Sequence, residues 1–317
     1  MTANTIEKVL ILPIVNLFIV SLFLFMAHPI PAFQHPAVAV VRDDSLYSVP
    51  LSRSVRLDII LPPNYHQTTT NYPVLYLNDG QDLPRLRMHE VLDSLYNQAV
   101  IKPFVLVAIH TNADRIQEYG TAAQPDYMKR GSKANLYTDF VLTELLPYIQ
   151  KHYRVQPGPT DAVFAGFSLG GLSAFDIVLH HPERFGSAGV FSGSFWWRSK
   201  KFNNAYDDET DRIMHSLVRN GSYNPRQKFW LQTGTLDETS DRNNNGVIDS
   251  IDDTLDLINE LEKKGYHRDN NAIQYVEVVG GHHNPETWGA VMPDFLQWAF
   301  GKSDGPATRK VKERLAH

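Results

Sequence analysis

Gly166-Phe167-Ser168-Leu169-Gly170 sets a serine between two glycines, after the apolar run Ala162 to Gly166 and before the amphipathic run Gly171 to His181. A serine hydroxyl becomes a useful nucleophile when a sharp turn lifts it clear of a sheet. Flanking glycines let strand and helix approach without Cβ atoms in the way. The backbone N–H of Leu169 then opens a helix, where an oxyanion meets an unpaired donor and the positive end of the helix dipole. The five-residue pattern alone is common, and a glycine-rich turn with a surface serine would also produce it. Its place between a strand and a helix is what points to acyl transfer.

Such a nucleophile needs a general base and a third group that orients the base. Gly280-Gly281-His282-His283-Asn284-Pro285 follows the run Ile273 to Val279 and precedes a helical pattern, so a histidine stands on a loop at a strand end. His283 is read as the base, ahead of its neighbour His282. The acid belongs on the loop after the preceding strand. Asp237, in Gly234-Thr235-Leu236-Asp237-Glu238 after the run Phe229 to Gln232, fills that place, with Glu238 next. Serine, acid and histidine then occur in the chain order that a nucleophile on a strand–turn–helix bend requires. The carboxylate would fix the imidazole tautomer and stabilise the imidazolium formed when it takes the serine proton.

A second pattern, Asp241 to Asp252, reads as a calcium loop. Oxygen-bearing Asp241, Asn243, Asn245, Asp249 and Asp252 occupy positions one, three, five, nine and twelve, Gly246 sits at six, and the Val247 carbonyl serves at seven. Asp249 would act through water, and Asp252 gives position twelve a shorter arm than the usual glutamate. The plainer reading is an acidic, Asn-rich surface loop. Calcium here would be structural, stiffening the loop that carries Asp237 and so orienting His283 indirectly.

These residues need strands that end beside one another. Val55 to Leu61, Val74 to Leu77, Val105 to His110, Ala162 to Gly166, Ala188 to Phe191, Phe229 to Gln232 and Ile273 to Val279 read as strands. Leu136 to Tyr153, Gly171 to His181, Thr254 to Lys264 and Pro285 to Phe300 carry apolar residues at helical spacing. The alternation predicts an α/β fold, a mostly parallel central sheet with helices on both faces. Ser194-Phe195-Trp196-Trp197 opens a stretch to Gln227 that is read as a cap over the pocket, or else as aromatic core.

The chain of 317 residues is 43% hydrophobic, enough for one large domain. Its net charge of −5 comes without a basic patch, which argues against nucleic acid as a partner. With 0 cysteines, disulfides, thiolate catalysis and cysteine-held metals are excluded. Val9 to Ala27 is apolar and free of charge, long enough to cross a bilayer. Residues 1–28 are therefore expected to be an export signal or a retained anchor tethering the protein through 9–27, which predicts an extracytoplasmic location, periplasmic or secreted. A Pro-rich linker (29–38), the catalytic domain (39–300) and a polar tail (301–317) complete the organisation. Oligomeric state is not legible.

From Val55 to Phe300 the sequence resembles the esterase family that includes feruloyl and acetyl-xylan esterases, S-formylglutathione hydrolases and enterobactin-type siderophore esterases. The resemblance is carried by Tyr72-Pro73-Val74-Leu75-Tyr76-Leu77-Asn78-Asp79-Gly80-Gln81-Asp82, by Arg115-Ile116-Gln117-Glu118-Tyr119, and by Phe140 to Tyr153 with Leu145-Leu146-Pro147. Gly166 to Gly171, Gly234 to Asp237, and Gly281-His282-His283 with Trp288 five residues on complete it. It implies an α/β-hydrolase fold, Ser168 as nucleophile, Asp237 as acid and His283 as base. It also implies that the N–H of Gln81 joins that of Leu169 in an oxyanion hole, and that the substrate is a small-molecule or carbohydrate-linked ester, with no organic cofactor. A peptidase or acyltransferase on the same fold is the alternative; from another class, a non-catalytic calcium-dependent binding protein.

Overall fold

The computed structural model describes residues 38–302. The expected export or anchor segment, nearly all of the linker and most of the polar tail lie outside them. Among the described residues no helix is long and apolar enough to cross a membrane.

Eight strands build one sheet: β1 (Ala39–Ser48), β2 (Arg53–Leu61), β3 (Val74–Asn78), β4 (Val105–Ile109), β5 (Ala162–Phe167), β6 (Ser187–Phe191), β7 (Lys228–Leu236) and β8 (Ile273–His282). Their order across the sheet is β1-β2-β4-β3-β5-β6-β7-β8. β1 pairs with β2 and β2 with β4 antiparallel, and every later pair is parallel. Strands β3, β4 and β5 are buried along their whole length, the signature of a sheet covered on both faces.

The covering helices are α1 (Met88–Asn97), α2 (Arg115–Glu118), α3 (Ala134–Phe140), α4 (Leu146–His152), α5 (Leu169–His180), α6 (Asp208–Asp211), α7 (Ile213–Asn220), α8 (Asp249–Lys264) and α9 (Pro285–Phe300). Alternate strand residues feed two cores. Val74, Tyr76, Phe164 and Phe229 face α3, α4, α5, α7 and α8. Leu75, Leu77, Ala165, Phe191 and Trp230 face α1 and α9. This is the α/β architecture that the sequence pattern predicts.

Two features depart from the sequence reading, and for a third the structure decides between its two readings, cap and aromatic core, in favour of the core. The helix expected over Leu136 to Tyr153 is interrupted by a π turn, Val141–Leu145, between α3 and α4. Pro147 stands at the start of α4, where it lacks an N–H and crowds the preceding turn, and a widened turn relieves that crowding. β1, rich in charge, is an edge strand with a register shift between Val41 and Asp44, and its polar character hides it from an apolar-run search. The Ser194 to Gln227 stretch joins the helical layer: Phe195 and Trp197 are buried in the core, and α7 packs along α8.

Candidate active site

β5 ends at Phe167, and Ser168 follows with φ 54° and ψ −121°, directly before α5. That backbone lies outside the ordinary wells for an L-residue and costs on the order of 1–3 kcal/mol, held by its surroundings. Ser168 N–H donates to Phe191 O at 2.9 Å, while Ser168 O accepts from Ser194 N at 3.2 Å and Leu172 N at 3.0 Å. A Cβ on Gly166 would lie 2.3 Å from Gly170 O, so only glycine permits the strand and helix to meet this closely. Leu169 is the first residue of α5, where an amide has no partner within its helix.

The second oxyanion candidate, Gln81, lies in a 3-10 turn, Gly80–Asp82, at the C-terminal end of β3. Asp79 enters this turn with φ 61° and is 2% exposed. Its carboxylate takes two bonds from Arg115, Nε to Oδ1 and Nη2 to Oδ2, both at 2.7 Å. Arg115 Nη2 also reaches Phe167 O at 3.3 Å, and Asn78 Nδ2 donates to Gly170 O at 2.8 Å. Burial opposes the charge on Arg115, yet the Asp79 carboxylate holds its pKa above the ordinary value. This clasp ties the Gln81 turn to the Ser168 turn. Arg115 and Asp79 stand in the resembling motifs, but their pairing joins residues far apart in sequence and has no signal in either motif alone.

Asp237 follows β7. Its Oδ2 accepts the Gly234 N–H at 3.0 Å, and its Oδ1 is buried with no hydrogen-bond partner. Burial raises its pKa; the Gly234 N–H, the Ser192 hydroxyl, His283 and His282 pull it down. Glu238 faces elsewhere, toward Asp249, Ser250 and Asp253. His283 follows β8, its ring meeting Trp288 edge-on at 5.3 Å between centroids. The residue is exposed, with Trp288 packed against it. Loss of hydration lowers its pKa, Asp237 acts in the opposite sense, and Arg115 adds to the lowering. His282 is held by its backbone, opposite Leu236 in the sheet and with its N–H on Thr287 Oγ1 at 2.9 Å.

Ser168, Asp237 and His283 are thus brought to the C-terminal ends of β5, β7 and β8, the edge at which α/β sheets bind ligands. Among the described residues no hydrogen bond joins His283 to Ser168 or to Asp237. The Ser168 hydroxyl instead lies 3.3 Å from Ser194 Oγ. Ser192 and Ser194, both buried, are site neighbours that the sequence reading does not single out; their place after β6, next in the sheet to β5, is the signal that finds them. A separate cleft of about 500 Å³ opens between α1 and α9, bordered by the Arg85–Glu286 ion pair, and none of the three residues lines it.

The 241–252 loop is compact. Asp241 accepts from Asn245 N at 3.1 Å and Gly246 N at 2.9 Å, Gly246 has φ 84°, and α8 begins at Asp249. The side chains of Asn243 and Asn245 converge on Asp252 Oδ2 at 3.0 and 2.9 Å. Asp249, expected to act through water, is engaged by Arg242. Its Oδ1 accepts from Arg242 N at 2.8 Å and lies 3.3 Å from the Arg242 guanidinium, whose nearly complete burial requires carboxylates around it. Among the described residues no three His, Cys, Asp or Glu side chains converge as a metal site; the loop offers two carboxylates and two amides.

A family model described as "Putative esterase" matches residues 48–299. The uncharacterised protein YbbA of Bacillus subtilis (strain 168) is 23% identical over 252 residues, 78% of this chain and 93% of that protein. The iron(III) enterobactin esterase of Escherichia coli (strain K12) is 34% identical over 137 residues, 41% of this chain and 30% of the relative. A solved ferulic acid esterase superposes with a TM-score of 0.62 at 20% identity, over 83% of this chain and 98% of that one. At that identity the superposition speaks for the fold.

Proposed function

The chain belongs to the family described as "Putative esterase", and from that premise we propose that it is a serine carboxylic ester hydrolase working through an acyl-enzyme on a small or carbohydrate-linked ester. The observation that carries the reading is the strained Ser168 at the head of α5, with Asp237 and His283 on neighbouring strand ends in the required chain order.

His283, held neutral by its surroundings, takes the Ser168 proton as Oγ attacks the ester carbonyl carbon. The carbonyl electron pair moves onto oxygen, which the Leu169 and Gln81 N–H groups receive. The pair then returns, the alkoxide departs with the proton from His283, and an acyl-serine remains. Water, deprotonated by His283, repeats the sequence and releases the acid and free Ser168. Entry into this cycle needs the Ser168 side chain to rotate from Ser194 toward His283, a motion of picoseconds to nanoseconds for an accessible side chain. Turnover of short-chain p-nitrophenyl esters tests the reading. Ser168→Ala is expected to lower kcat by about 10³-fold or more, and turnover that survives it overturns the assignment.

We also propose a structural calcium ion in the 241–252 loop, held by Asp241, Asn243, Asn245, the Val247 carbonyl and Asp252, with Asp249 at one remove. The positive φ of Gly246 supports such an ion, and the Asn243 and Asn245 amides, which give their Nδ2 protons to Asp252 Oδ2, would turn their oxygens to it. Chelation is expected to lower Tm by several degrees, with calcium and not magnesium restoring it; an unchanged Tm removes the ion from the account.

A further inference from the structure

Trp288, in the first turn of α9 and 6% exposed, touches the surroundings of all three candidate residues. Its indole stacks on Phe167, the neighbour of Ser168, at 4.9 Å between centroids and 22° between planes. It meets the His283 ring edge-on at 79°. Its Nε1–H donates to Ser192 Oγ at 2.9 Å.

An indole nitrogen can only donate. The bond therefore occupies a lone pair of Ser192 and leaves the Ser192 proton for another acceptor. Asp237 Oδ1 is the acceptor at hand: it is buried and in no hydrogen bond of ordinary geometry, Oδ2 is already engaged by Gly234, and the Ser192 hydroxyl lies close enough to lower the Asp237 pKa. Ser192 itself is 2% exposed with φ 47°, a conformation that favours glycine, so the position retains a hydroxyl against its backbone preference.

We propose that Trp288 and Ser192 form a relay that positions the acid–base pair: the indole ring sets the tilt of His283, and its N–H turns the Ser192 hydroxyl toward Asp237 Oδ1. Both are positioning residues, and the inference rests on the serine-esterase reading above. The charged or titratable groups that face the pair are His282 beside Asp237 and Arg115 beside His283. Ser192 and Trp288 are uncharged, so removing either leaves the charge of the site unaltered. A carboxylate that loses a donor concentrates its charge and holds the imidazolium proton more tightly. The acidic limb of kcat/KM then moves to higher pH.

The test compares wild type, Ser168→Ala, Ser192→Gly, Trp288→Phe and the double variant Ser192→Gly/Trp288→Phe on a short-chain p-nitrophenyl ester. Ser192→Gly relieves the positive φ, so Tm is expected to equal or exceed that of wild type. Its kcat is expected to fall about tenfold, the order of one hydrogen bond, with KM unchanged and the acidic limb raised. Trp288→Phe keeps an aromatic ring against Phe167 and His283 and removes the N–H, and the double variant is expected to lose no more than Ser192→Gly alone. Ser192→Gly with wild-type kcat and pH profile overturns the relay, as do losses that multiply in the double variant. If Trp288→Phe does not fold, Ser192→Gly decides alone. Wild-type turnover that is absent, or indifferent to Ser168→Ala, overturns the esterase reading and the relay with it.

Discussion

Asp237 and His283 are displaced in opposite directions by one cause. Burial raises the carboxyl and lowers the imidazole, so both neutral forms are favoured until the two groups share a proton. The proposed mechanism needs the neutral imidazole, and its pKa lies below the ordinary value near 6.5. The acidic limb of kcat/KM is therefore expected below pH 6.5. Asp237 is the group that raises His283, so Asp237→Asn is expected to move the limb lower still. The same change should cut kcat by about 10³- to 10⁴-fold, because an amide no longer holds the productive tautomer. A pH–rate profile of the variant checks both, and an unmoved limb would mean that Asp237 is not the partner of His283. The Ser–Asp–His order is legible in the sequence because each residue follows a strong strand signal. The side chains that hold them, Asp79 on Arg115 and Ser192 on Trp288, are not, because those contacts join separate loops that only the folded sheet brings together.

At the scale of elements, α7 and α8 meet over a buried polar knot. Arg212 and Arg242 both reach Asp253 Oδ1, at 2.9 and 2.6 Å, and His215, 1% exposed, lies 2.8 Å from the Asp253 carbonyl through Nε2. Burial first, and then Arg212, lower the His215 pKa to about 3. A histidine depressed in the folded state binds its proton only on unfolding. Its stabilising contribution is complete above the unfolded value of 6.5 and is lost as pH falls toward 3, by at most about 1.4 kcal/mol per pH unit. His215→Leu removes a second bond to the Asp253 carbonyl, which keeps its helical partner within α8, and is expected to cost about 1 kcal/mol at pH 7 and to flatten the decline of Tm between pH 6.5 and 4. A variant whose decline matches wild type would place the acid sensitivity elsewhere. Helix α1 shows the limit of pattern reading at this scale. Met88, Leu92, Leu95 and Tyr96 are buried at helical spacing, yet the helix enters through a positive φ at Arg87 with no side-chain cap, so no start signal precedes it.

Over the whole molecule, the seven expected strands fall on β2 to β8: β3, β4 and β5 are apolar runs buried on both faces, while β2 and β8 are partly exposed and show themselves by their β-branched and aliphatic residues. The eighth, β1, escapes because its charged residues suit an edge, where Asp44 receives the hydroxyls of Tyr148 and Tyr153 at 2.7 and 2.9 Å. Helix α5 is buried on almost every side beneath Ser168, which makes the support of the proposed nucleophile part of the core, not a surface addition. The site itself draws on four strand ends that are far apart along the chain. Gln81, Ser168, Asp237 and His283 emerge from the ribosome in that order, so a nascent polypeptide carries its proposed nucleophile long before its proposed base. On the proposed mechanism, release or pausing anywhere before β8 leaves a serine with nothing to deprotonate it, and hydrolytic competence waits for the last strand of the sheet.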